Sequence, residues 1–419
     1  MKQFLFSAVF FVCLSIPSFS CTSVIISSKY TVSGRPLMLK HRDTDDMNNA
    51  VEYFKGAKYN FIALVDSHSK GGEAWTGTNS SGFSIMNTAS YNIKDDNVPD
   101  SLMDREGIVM FKALGICSST SDFENFLDSL PEPWGVEANF GIIDAKGGAA
   151  YYEVNNHTWI KYDVNDPEVA PYGFRTVTNF CESGRKSEIK GYERYFTANR
   201  IMEAFSEKAS GELMDICHTD IFDVISRSYS NAILGVDYVR DYDSMISSGF
   251  FNGIAVDQDF IPRRITSASI VIEGVKKGEN PLHTVMWTIL GYPACSVAVP
   301  LLAGFSDHIP DYMKKSGLSS HSLLCDKALS IKKRYVFPYH ISNGNRYVNL
   351  KSVINGEDGR QPLLSCCEMT ESSINGFFDE IYSKWVDGQI SDSGFFKSYD
   401  SLTPRFYDIY LNNFASYLQ

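Results

Sequence analysis

The chain has 419 residues, 44% hydrophobic and 21% charged, enough apolar side chains for a large buried core and too many for an intrinsically disordered chain. Its 38 basic and 50 acidic residues leave a net charge of −12, a sign that repels phosphate backbones, so nucleic acid is not an expected partner. With 30 Gly and 15 Pro it is neither collagen-like nor of low complexity, and no segment of the body is apolar for the ~20 residues a membrane helix needs.

Residues 1–20 read as a secretory signal peptide: Lys2, an apolar run from Phe4 to Ile16, the helix breaker Pro17, then Ser18-Phe19-Ser20, whose small residues suit a signal peptidase. The expected location is secreted or periplasmic. A cut after Ser20 makes Cys21 the first residue and places a thiol beside a free α-amine, a base with a pKa of about 7.7 to 8.0. Two plainer readings compete. Cys21 is a lipoprotein anchor, against which Phe19 and the lack of a Leu three residues before the cysteine both speak, or it is an ordinary disulfide or core cysteine.

Downstream, Thr22 to Ser27 and Pro36 to Lys40 read as strands broken at Ser33-Gly34, and Asn60 to Val65 as another. Glu73 to Thr78 and Phe83 to Thr88 flank Asn79-Ser80-Ser81-Gly82, a hairpin signal. Helical patterns follow over Ser101 to Cys117 and Ser121 to Leu130, the second opened by a capping box Ser121-x-x-Glu124 and closed by Pro131. Asn139 to Asp144, Ala149 to Val154 and Thr158 to Tyr162 form a meander, and Phe174 to Asn179 a short strand. Gly191 to Phe205 has apolar residues at helical spacing, and Glu212 to Tyr229 also reads as helix. Strands return at Ser267 to Glu273, His283 to Leu290 and Cys295 to Val299, before some ninety residues that lean helical. Runs of strands alternating with runs of helices predict a layered α+β fold over 21–419, one large domain whose region 305–419 has no assigned role.

Nine cysteines in a chain this long are no disulfide framework. There is no C-x-x-C or H-E-x-x-H and the eight His are scattered, so no metal and no cofactor are expected. If Cys21 is a nucleophile, it needs a cationic or hydrogen-bonding neighbour, a group to fix its amine, and donors for an oxyanion. Candidates are the run His41-Arg42-Asp43-Thr44-Asp45-Asp46, the carboxamide of Asn87 inside an apolar strand, and Asn179 at a strand end. Each has a plainer reading, the charged run as a solvated loop and the two Asn as strand-end hydrogen-bond fillers.

A leading Cys-Thr-Ser before an apolar strand, Arg42-x-x-Asp45, Asn87 after a Trp-bearing hairpin, and Thr178-Asn179 followed by the helix of Arg194 together resemble the linear-amide N-terminal-nucleophile (Ntn) hydrolases, over roughly residues 21 to 300. That group includes choloylglycine hydrolases, penicillin V acylases and acyl-CoA:6-aminopenicillanate acyltransferase-like peptidases. The resemblance implies a four-layer αββα sandwich with Cys21 as nucleophile, Arg42 against its sulfur and Asp45 on the amine or thiol. Asn87 with a backbone N–H would form the oxyanion hole, Asn179 would position the substrate amide and the cysteine amine, and Arg194, with Arg200 as its rival, would brace the site. The implied activity is cleavage of a small-molecule N-acyl amide through a thioester, with water or an amine as acceptor. Asp46 stands where bile-salt hydrolases usually carry an aromatic, which puts that specificity in doubt. The region beyond 305 then shapes the pocket or a subunit contact, so a homo-oligomer is allowed. Two other functions stay open, a dipeptidase-type Ntn peptidase and a secreted or lipid-anchored binding protein. Mass spectrometry of the mature N-terminus separates enzyme from anchor: a free Cys21 is expected, and a diacylglyceryl mass would exclude it.

Overall fold

The computed structural model describes residues 20–257, 260–316, 321–339 and 347–419. The expected leader lies outside them except for Ser20, which opens the first strand. In chain order the first strands are β1 (Ser20–Ile26), β2 (Leu37–Asp43), β3 (Asn49–Phe54), β4 (Phe61–Asp66), β5 (Thr76–Asn79) and β6 (Ser84–Ala89). Helices α1 (Glu106–Ile116) and α2 (Thr120–Asp128) precede β7 (Ala138–Ile143), β8 (Ala149–Val154), β9 (Trp159–Asp163) and β10 (Phe174–Val177). Helix α3 (Tyr192–Ala209), the short α4 (His218–Ile221), a small hairpin β11 (Ser230–Asn231) and β12 (Val236–Asp237), and α5 (Tyr238–Ser247) come next. The rest comprises β13 (Ile254–Val256), β14 (Thr266–Glu273), β15 (Val285–Leu290), β16 (Val299–Leu302), α6 (Leu323–Ile331), β17 (Tyr347–Asn349), α7 (Leu363–Val386), α8 (Asp392–Asn413) and α9 (Ala415–Leu418).

Two antiparallel sheets carry the fold. One has the order β10-β1-β2-β14-β15-β16, and the other is the meander from β3 to β9. They pack face to face, with Ile25, Met38, Met86 and Tyr151 among the side chains between them. Their approach is close at Gly141, where a Cβ would stand 2.3 Å from Met86 and 3.1 Å from Ile25, so any larger residue would hold the sheets apart. The tyrosine hydroxyl of Tyr151 donates to Ser23 Oγ at 3.1 Å across the same gap.

Helices cover both outer faces. Val109, Met110, Leu114, Phe123 and Leu127 of α1 and α2 pack on Phe61, Ile85, Phe140 and Tyr152. On the other side, Val24, Ile26 and Leu39 meet Ala198 and Met202 of α3, while Trp287 stacks edge-on with Phe378 of α7, their centroids 5.3 Å apart. The result is the αββα layering that the sequence led us to expect, with the C-terminal helices forming part of one outer layer. Polar anchors hold that layer: Tyr399 donates to the Pro300 carbonyl at 2.6 Å, and the buried Arg227 pairs with Glu371 at 2.6 Å, whose Oε1 also accepts the Ala298 N–H at 2.7 Å.

Several local expectations shift. Strand β3 went unread. The cap of α2 is Ser119, whose hydroxyl accepts the Asp122 N–H at 3.2 Å, two residues before the expected Ser121 box, because Asp122 also binds Ser118 and so fixes the turn earlier. Region 212–229 is helical only over α4 and the wide turn that continues it to Ser226. The expected strand at Cys295 to Val299 starts only at Val299, since Pro293 to Cys295 form a 3-10 turn. Removing one partner of a buried ion pair strands the other, so Arg227→Met should cost about 3 to 5 kcal/mol of stability in a chemical denaturation curve.

Candidate active site

The site lies where the ladder between β1 and β10 stops. Pairing runs from Ile26 opposite Phe174 to Ser23 opposite Val177, after which Thr178 and Asn179 leave the strand. The polar backbone groups of Cys21 therefore lack strand partners on that side and take side chains instead. The Cys21 N–H donates to Asn179 Oδ1 at 2.7 Å, and the Cys21 carbonyl accepts from Arg194 Nη1 at 2.5 Å. Arg194 also donates to Asn179 Oδ1 at 2.8 Å and to Thr22 Oγ1 at 3.0 Å, while Asn179 Nδ2 donates to the Ala89 carbonyl at 2.8 Å. Cysteine, carboxamide and guanidinium form one closed network.

Arg194 sits in the first turn of α3 and is 1% exposed. Its fold-back depends on Gly191 at φ 75°, where a Cβ would lie 2.1 Å from Nη2. Burial pulls the guanidinium pKa down to about 10, so it stays charged at neutral pH. The rival Arg200 is exposed and paired with Glu203 at 2.5 Å, far from any role here.

Cys21, 4% exposed, lines a cavity of about 440 Å³ at the open end of the sheet sandwich together with Lys40, Arg42, Asp43, Trp75 and Asn87. Arg42 stands opposite Cys21 in the β1–β2 register. Its Nη1 donates to Asp66 Oδ1 at 2.8 Å and to Asn49, and its guanidinium lies over the Trp75 ring at 4.8 Å. Nη2 is buried without a hydrogen-bond partner, a donor left over for a bound group. Asn87 is on β6, 5% exposed, with its Oδ1 bonded to Lys40 Nζ at 2.5 Å.

Asp45 is not brought to the site. Strand β2 runs past Lys40 to Asp43, paired on one side with β1 as far as Ser20 and on the other with β14 as far as Thr266, and the chain then turns outward and leaves Asp45 exposed. The buried carboxylate is Asp43, which accepts from Thr266 Oγ1 at 2.7 Å and faces Arg263 Nε at 3.3 Å. From there charges alternate back to the site, Arg263 to Glu193 at 3.4 Å and Glu193 to Arg194 Nε at 3.6 Å. His41, on the same face as Asp43, has its pKa pushed down to about 4 by burial and is neutral.

Lys40, Arg263, Glu193 and Glu106 escaped the reading of the sequence, and Asp43 stood in the candidate run without a role of its own. The one signal for Lys40 was a lone cation in the apolar stretch Pro36-Leu37-Met38-Leu39-Lys40. Glu106 opens α1 and reads as an ordinary helix-start acid, yet it lines the cavity, 7% exposed, accepts the Glu137 N–H at 3.0 Å, and has its pKa pushed up to about 7 by burial. Among the described residues no group of three or more His, Cys, Asp and Glu is placed to hold a metal, all eight cysteines are unpaired, and no helix is long and apolar enough to cross a membrane.

No protein-family model matches the chain, and no curated protein matches its sequence. Solved structures with a similar arrangement include a Caenorhabditis elegans ortholog of N-acylethanolamine-hydrolyzing acid amidase, with TM-score 0.40, 14% identity, and 62% of this chain and 93% of that one covered. A variant of conjugated bile acid hydrolase from Clostridium perfringens gives 0.38, 10%, 64% and 89%, and penicillin V acylase from Agrobacterium tumefaciens 0.36, 10%, 67% and 86%. Likeness at this level leaves the chemistry to be read from the site itself.

Because the folded pKa of Glu106 is raised above that of the unfolded chain, the folded state keeps a proton that the unfolded chain releases. The contribution of Glu106 to stability is fully present below about pH 4.5 and is lost as pH rises through 7. Denaturation curves at pH 4.5 and 7.5 should show this loss in the wild type and a smaller one in Glu106→Gln, by an amount on the order of 3 kcal/mol.

Proposed function

We propose that the protein is an N-terminal-cysteine hydrolase of linear N-acyl amides, exposed by removal of residues 1–20 and acting outside the cytoplasm. The observation that carries this reading is the treatment of Cys21: its backbone nitrogen, the atom that becomes the α-amine, is bonded to a buried carboxamide while its side chain lines a cavity beside a second one, Asn87. A core cysteine needs neither arrangement. Arg194 adds a bond to the Cys21 carbonyl, so both backbone polar groups of that residue are held by side chains.

In the proposed reaction the Cys21 amine, oriented by Asn179, takes the thiol proton as sulfur attacks the amide carbonyl. The carbonyl oxygen gains negative charge, and Asn87 Nδ2 donates to it. Collapse of the tetrahedral intermediate breaks the C–N bond, the amine leaves with the proton held by Cys21, and a thioester remains. Water attacks the thioester, gives its proton to the Cys21 amine and releases the acid and the free thiol. A second amine in place of water would give acyl transfer.

A panel of N-acyl amides, including conjugated bile salts, penicillin V and dipeptides, tests the reading on the mature protein. Cys21→Ala should lose all turnover, and Asn87→Ala should lose about 10²- to 10³-fold in kcat while remaining folded. Normal turnover by Cys21→Ala would refute the assignment, and release of amino acids from dipeptides alone would favour the peptidase.

A further inference from the structure

Lys40 is 1% exposed, projects from β2 into the space between the sheets, and has no carboxylate within ion-pair distance among the described residues. Its ammonium donates to the Trp75 carbonyl at 2.8 Å and to the side chain of Asn87 at 2.5 Å. A buried lysine without a counter-ion is costly, and burial indeed draws its pKa down to about 8, so a purely structural need would be met more cheaply by an apolar residue. Its geometry supplies what an apolar residue lacks.

A carboxamide has an acceptor end and a donor end of nearly the same shape, and a half-turn about its last bond exchanges them. An oxyanion hole works only if the donor end faces the reacting oxygen; the reversed amide would present a lone pair to a developing negative charge. An ammonium has three donors and no acceptor, so the atom of Asn87 that meets Lys40 has to be Oδ1, and Nδ2 is left on the opposite edge of the amide. Asn87, Lys40 and Cys21 line the same cavity. The position of the cation is itself secured: it is anchored on the Trp75 carbonyl, and the Trp75 indole N–H is held by Asp66 Oδ2 at 2.8 Å. A cation on the carbonyl oxygen also polarises the amide and strengthens its N–H as a donor.

We infer that Lys40 is a positioning residue for the amidase reaction proposed above, locking Asn87 with its Nδ2 toward the oxyanion, and that it acts through Asn87 and not by touching the substrate. The inference rests on that proposed function. The test is a double-mutant cycle on the mature enzyme with Lys40→Met, Asn87→Ala and the pair, following kcat, KM and thermal stability on whichever N-acyl amide the wild type cleaves. Lys40→Met should lower kcat about 10²-fold with KM changed less than about threefold, and in the Asn87→Ala background it should lower kcat no further than about threefold. Lys40→Arg, which also only donates, should keep kcat within about tenfold of wild type. If Lys40→Met does not fold, Lys40→Gln takes its place, since a glutamine amide can donate or accept and so leaves Asn87 free to reverse; its kcat should fall at least about tenfold.

An unchanged kcat in Lys40→Met, or in its glutamine substitute, overturns the inference, as does a loss that multiplies fully with that of Asn87→Ala. Loss of turnover in Cys21→Ala with full kcat in Lys40→Met leaves the amidase standing and removes only Lys40. A wild-type enzyme that cleaves no N-acyl amide overturns the proposed function and this inference with it.

Discussion

The backbone of Cys21 is gripped at both polar atoms by side chains, its N–H by Asn179 and its carbonyl by Arg194, at the point where the strand ladder gives out. In a sheet those two groups would ordinarily bond to a neighbouring strand, and a residue so bonded has no special nitrogen. Ending β10 at Val177 frees them, and the chain uses Asn179, two residues on, and Arg194 at the start of α3 to satisfy them. The same step that terminates a strand thereby builds an orientation device for a nitrogen and a sulfur on one residue.

Holding a guanidinium beside that backbone is expensive, and the surrounding structure is arranged to offset the cost. Arg194 is buried, close to Arg263, and both would repel were Glu193 and Asp43 not interleaved with them. Gly191 removes the side chain that would otherwise occupy the guanidinium's place. Within the cavity itself a second group of cations, Lys40 and Arg42, is tied to Trp75, Asn87 and Asp66, so the inner wall is rigid before any ligand arrives. Rigidity of this kind suits the proposed amidase reaction, because oxyanion donors that must turn to meet a developing charge lose much of their effect.

The layered architecture was legible because period-2 alternation and turn residues mark antiparallel strands strongly. Gly82 takes the left-handed backbone that the hairpin Asn79 to Gly82 calls for, and the meander through Lys146-Gly147-Gly148 folds as read. Boundaries were less legible where tertiary pairing extends an element: β2 continues to Asp43 with β1 on one side, where Ser20 stands opposite Asp43, and β14 on the other. The same extension explains the exchange of carboxylates, with Asp43 buried and Asp45 left in solvent. Cys21, Asn87, Asn179 and Arg194 could be singled out as residue types whose chemistry fits an amide hydrolase, and the fold gathers them around one cavity or one hydrogen-bond network.

Residue identity alone determined that the chain would form strands and helices in alternating blocks, that Cys21 would stand at the head of an apolar strand, and that Asn87 would fall inside a strand and Asn179 at a strand end, since these follow from local propensity and sequence spacing. Tertiary structure alone decided which charges meet. Lys40 and Asn87 lie on strands of different sheets, Arg194 reaches Cys21 across more than 170 positions, and Glu106 becomes an acid of raised pKa only by being enclosed. Burial and approach are properties of the packed whole, and no linear spacing encodes them.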